Sequence, residues 1–167
     1  MPKGMQPIFT QKVNSASFIA FNNIPQTYTD LLIKLSIRGT PAAFDSVGII
    51  FNGNQYSRSR NIMQGNGSAA SSSRGTYRDI GAMGGTNTTS NVYSSYDIYI
   101  PNYTLSIFHQ CIIDAVLENN ASEGYSYLTS FVDLNNFSIN SISISSSTYG
   151  VNLGPDSTMT LYGISRQ

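Results

Sequence analysis

The chain has 167 residues, 40% of them hydrophobic, which is enough for one domain with a substantial core. Only 11% are charged, with nine basic residues balancing nine acidic ones; this excludes the basic stripe that displaces counterions from a nucleic-acid backbone. A surface so poor in charge suits a subunit partly covered by neighbours better than a free monomer.

Residues 1–14 show no periodicity and read as an N-terminal arm, while 15–167 read as a single β-sandwich domain. The opening, Met1-Pro2-Lys3-Gly4-Met5-Gln6-Pro7, lacks the apolar centre of a signal peptide. No apolar run approaches a membrane span, so synthesis in a cytoplasm and no membrane partner are expected. The first strand is predicted over 17–22. In 30–38, Leu31, Ile33, Leu35 and Ile37 alternate with mostly polar partners, the mark of a strand with one buried face. A third strand over 46–52 runs into Asn52-Gly53-Asn54-Gln55, a hairpin signal because Asn and Gly adopt positive φ.

The stretch 64–91 is rich in Gly and Ser and buries little apolar area to offset its ordering entropy. It reads as long loops flanking one short strand over 76–83. The next strand, 92–100, places Tyr93 and Tyr99 on the face opposite Tyr96, Ile98 and Ile100. Residues 107–117 are apolar enough to line a short helix as well as a strand. After a connection over 119–124 come strands at 125–133 and 138–146, the latter holding the alternating Ser141-Ile142-Ser143-Ile144-Ser145, and then one at 158–165. Pro25, Pro41, Pro101 and Pro155 fall at strand boundaries, where a missing N–H does least harm. Eight or nine short strands without a convincing helix point to an antiparallel sandwich, jelly-roll-like in type.

The chemical inventory is thin. The single His109 lies two residues from the single Cys111, which in a strand places both on one face; a packed thiol beside a histidine is the reading taken over a catalytic dyad. No acidic residues share a metal-ligand spacing. Gly65-x-Gly67 and Gly81-x-x-Gly84 lack the Lys-Ser/Thr ending of a phosphate loop. Arg58, Arg60, Arg74 and Arg78 read as solvated loop charge. Neither catalytic residues nor a cofactor or metal is expected. Tyr93, Tyr96, Tyr99, Tyr103, Tyr125 and Tyr127 are the feature with binding potential, since exposed rings on a sheet stack on sugars or on protein partners.

Four segments carry a family resemblance. Phe21-Asn22-Asn23-Ile24-Pro25-Gln26-Thr27-Tyr28-Thr29-Asp30-Leu31, followed by Arg38-Gly39, resembles the opening of small virion proteins of tailed bacteriophages. Ser157-Thr158-Met159-Thr160-Leu161-Tyr162-Gly163-Ile164 is similar to the ending of that group. Between them lie Ile50-Phe51-Asn52-Gly53-Asn54 with Tyr56, and Tyr99-Ile100-Pro101-Asn102-Tyr103. The similarity spans 18–164, although this chain has no Trp where many of that group carry one late in the sequence.

The resemblance implies a jelly-roll-like β-sandwich serving as capsid decoration (cement) protein, head fibre or tail-fibre module. The expectation drawn from it is a non-enzymatic capsid decoration protein in the virion. It would bind the major capsid protein and copies of itself, as a trimer, through the arm and the Gly/Ser-rich loops. The alternative is a tip module that binds a receptor or host glycan. Tyr93, Tyr99, Arg74 and Arg78 are the expected partner or glycan contacts.

Overall fold

The computed structural model of the protein describes residues 4–54, 57–119, 123–148 and 151–165. Residues 1–3 of the expected arm, Gln55 and Tyr56 of the central segment, and 120–122 of the expected 119–124 connection lie outside them. In chain order the described strands are β1 (Gly4–Val13), β2 (Phe18–Phe21), β3 (Asp30–Ile37), β4 (Asp45–Phe51), β5 (Arg58–Gly65) and β6 (Ala70–Gly75). β7 (Asp79–Met83), β8 (Ser94–Ile100), β9 (Ile107–Asn119), β10 (Glu123–Phe137), β11 (Ile142–Ser146) and β12 (Ser157–Ser165) follow.

They form an eight-stranded sheet in the order β1-β12-β3-β8-β9-β10-β5-β6 and a four-stranded sheet in the order β2-β11-β4-β7. Every pairing is antiparallel. The two sheets enclose one apolar core, so the fold is an all-β sandwich. Leu31, Ile33, Leu35 and Ile37 of β3 all point inward, as their two-residue spacing requires, and so do Tyr96, Ile98 and Ile100 of β8. From the smaller sheet, Ile19, Phe21, Val47, Ile49, Phe51, Ile142 and Ile144 complete the core. Phe51 of β4 meets Phe131 of β10 edge-to-face at 6.0 Å, one of the contacts that ties the sheets together.

All nine expected strands exist, and three more do not follow the alternation. Gly4–Val13, read as an arm, is an edge strand laddered along β12 with an irregularity between Pro7 and Phe9. It buries only Val13 fully, so it carries no period-two pattern. β5 and β6 form a hairpin inside the stretch read as loops. Asn66 shapes its turn: its side-chain Oδ1 accepts from the Ser68 and Ala69 N–H groups, and Gly67 has φ +83°. β6 is exposed along its length and held by backbone bonds to β5, so its Ser residues show no buried face. The strand count is therefore twelve among the described residues, above the eight or nine expected. Ile107–Asn119 is a strand, which settles the helix alternative at that position.

Candidate interaction surface

Several of the residues that carry the resemblance hold the structure together. Asp30, buried at the start of β3, accepts a hydrogen bond from the Tyr99 hydroxyl at 2.9 Å and another from the Asn102 N–H at 2.9 Å. The buried Tyr103 hydroxyl donates to the Pro25 carbonyl. Gly163 of β12 lies under the Tyr28 ring, so the first and last motifs pack against each other. Asn52 (φ +49°) and Gly53 (φ +72°) make the tight turn after β4, closed by Asn54 N–H to the Phe51 carbonyl at 2.9 Å. The Asn52 side chain donates to the Ser138 carbonyl and accepts from the Asn140 and Ser141 N–H groups, locking that turn to the chain entering β11.

At the opposite end, Arg38 organises the 84–93 connection. Its guanidinium donates to the carbonyls of Thr89 (2.6 Å), Thr88 (3.0 Å), Val92 (3.1 Å) and Thr86 (3.4 Å). Five donors in a fixed fork fit such a cup of carbonyls, which the point charge of a lysine cannot fill. Asn119 Oδ1 accepts from the Thr89 N–H and hydroxyl, pinning the same loop to β9.

The four expected contact residues do not converge. Tyr93 and Tyr99 lie at opposite ends of the β8 segment, six residues or roughly 20 Å apart along the chain. The Tyr93 hydroxyl donates to the Pro155 carbonyl at 3.1 Å, and that of Tyr99 to Asp30. Arg78 lays its stem across Gly48 and donates to the carbonyls of Ser146 and Ser147. Arg74 is exposed on the edge strand β6. Of the other arginines, Arg58 is buried in register with Asp133, and burial lowers its basicity against that carboxylate's pull. Arg60 pairs with Asp79 at 3.1 Å and stacks over the Tyr77 ring, linking β5 to β7.

His109 and Cys111 share the core face of β9, as their spacing requires. A His109 ring nitrogen, Nε2, lies 2.6 Å from the Phe137 carbonyl and in that geometry donates to it. Burial, reinforced by the charge of Asp133, pushes the Cys111 thiol well above its ordinary range, so it stays protonated. Among the described residues no group of three His, Cys, Asp or Glu side chains is placed to hold a metal.

What stands out is the outer face of the larger sheet. Phe108 and Ile112 are each 58% exposed, and Met63, Val116 and Leu128 are about half-exposed beside them. Register makes them neighbours: Leu128 of β10 lies between Met63 of β5 and Asp114 of β9, with Ile112 and Val116 flanking Asp114 on the same face. Tyr99 borders this patch opposite Ile112, and Arg74 borders it on the far side. Two of the four expected residues thus frame a surface whose centre was not among them. A shallow hollow of about 530 Å³ runs along the β10–β5 seam between Met63, Ala70, Ser72, Asp114 and Leu128. A contiguous exposed apolar patch of this kind marks an interaction site. No family model matches the chain, and neither a curated protein nor a solved structure is significantly similar to it.

Proposed function

We propose that this chain is a structural subunit of a tailed-bacteriophage virion, a capsid decoration protein that packs on the major capsid protein and on neighbouring copies. The observation that carries the reading is the uncovered apolar face of β5, β9 and β10 on a chain with only 11% charged residues. A free monomer gains nothing from such a face; a subunit buries it. The virion part of the reading comes from the resemblance of the sequence motifs; the contacts those motifs make tie the sandwich together. Binding that requires the assembled shell stabilises that shell by mass action, and modest contacts repeated by symmetry add up to firm attachment.

Cryo-electron microscopy of the virion tests the assignment. The expected result is density for this sandwich at repeated positions over the capsid surface. A few copies confined to the tail would refute the capsid placement and favour a receptor-binding module.

A further inference from the structure

We infer that the outer face of β5, β6, β9 and β10 closes against the same face of a second copy, in an isologous pair whose two-fold axis runs along the β10–β5 seam. The inference rests on reading this face as an interface and names its occupant. The first support is area. Half-exposed side chains of this size each present on the order of 80 Å², so Met63, Ile112, Val116 and Leu128 offer roughly 320 Å² of apolar surface, about two-thirds of the apolar share of the ~800 Å² that a stable interface buries per partner.

The second support is shape. An axis parallel to the strands exchanges β10 with β5 and β9 with β6 while keeping each residue at its own height. By register, Leu128 and Met63 share one height, Val116 and Ala70 a second, Asp114 and Ser72 that of Leu128, and Ile112 and Arg74 a third. Leu128 of one copy therefore meets Met63 of the other. Val116 comes down over Ala70 and Asp114 over Ser72, where the small residues of β6 leave room, and Ile112 lies against the stem of Arg74. The seam hollow accepts what protrudes from the opposite copy.

The third support is charge. Asp114 is exposed on β9, and Arg74 is exposed on β6 one rung away from Ser72, or roughly 7 Å along the strand. Neither takes part in an ion pair among the described residues. The exchange brings each Asp114 within reach of the other copy's Arg74, giving two equivalent pairs across the axis, one charge of each sign from each chain. A face that carries both partners of its own ion pair is self-complementary.

Sedimentation velocity on the full chain tests this. Wild type is expected to dimerise. Arg74→Asp and Asp114→Arg should each weaken the dimer at least tenfold, and the double reversal should recover most of that loss. A second measurement is independent of charge. Val116→Cys with Ala70→Cys in one chain places thiols three strands or about 14 Å apart within a copy but opposed across sheets about 10 Å apart in the pair, so a bis-maleimide with a span of about 8 Å should yield covalent dimers. A monomer, a trimer, a double reversal no better than the singles, or no covalent dimer overturns the pair. A monomeric protein that still decorates capsids would overturn the pair and leave the proposed function standing.

Discussion

Replacing Gly163 by alanine tests the junction of the two ends of the fold. Gly163 faces Leu31 across the β12–β3 ladder, and the Tyr28 ring lies over it. A Cβ at Gly163 would stand 2.3, 2.4 and 2.6 Å from the Cγ, Cδ2 and Cδ1 atoms of that ring. Carbon atoms pack at about 3.5–4.0 Å, so the overlap exceeds 1 Å against a flat, rigid group, and the ring must leave. The cost combines overpacking, about 1–3 kcal/mol, with partial loss of an aromatic's burial, roughly 1–2 kcal/mol for a ring only partly buried to begin with. We expect a destabilisation of about 2–5 kcal/mol, or roughly 4–20 °C in Tm for a domain of this size. Urea denaturation followed by circular dichroism and tyrosine emission, in a chain without tryptophan, reads it directly. On a Tyr28→Ala background the ring is gone, and Gly163→Ala should then cost under about 0.5 kcal/mol. A small effect in the first background, or an undiminished one in the second, would show that the ring contact is not why glycine stands at 163.

Two further perturbations follow from the geometry. Arg38→Ala removes the donors from four carbonyls and should cost about 2–4 kcal/mol, with hydrogen exchange accelerated across 84–93; Arg38→Lys should recover only part. Unchanged exchange in that loop would refute the clamp. Burial raises the Cys111 thiol, and it pushes the Tyr127 hydroxyl up to about 12 with a smaller contribution from Tyr125. The unfolded chain therefore loses these protons first, from about pH 8.5 for the thiol and pH 10 for the phenol. Fewer protons bound in the unfolded state means stability declines as pH rises above about 8.5. The denaturation midpoint should fall through that range, and Cys111→Ala should flatten the lower part of the slope. Cys111 should also resist thiol reagents until the protein unfolds; rapid labelling of native protein would contradict its burial.

The strands that seal the core were legible because a buried face forces its own period on the sequence. Leu31, Ile33, Leu35 and Ile37 cannot point anywhere but inward together, and the same holds for Ile142 and Ile144. β1 and β6 escaped for the converse reason: edge strands held by backbone bonds need no apolar face, and backbone amides are the same under every side chain; β5, inside the sheet, buries Ile62 as its one fully buried apolar side chain, too few to show a period. The strand expected over 125–133 runs on to Phe137, with the Asn135 N–H donating to the Asp133 side chain within it. The interaction surface left a trace that looked like ambiguity. Residues 107–117 resembled a helix as well as a strand because Phe108, Ile112 and Val116 are apolar on the face a single-sided strand keeps polar. What a chain determines by itself is which residues must leave water together along one strand. Only the tertiary register could bring Met63, Leu128 and Ile112 onto one uncovered face, or set Tyr28 on Gly163, because those neighbours are distant in sequence and adjacent only through backbone pairing.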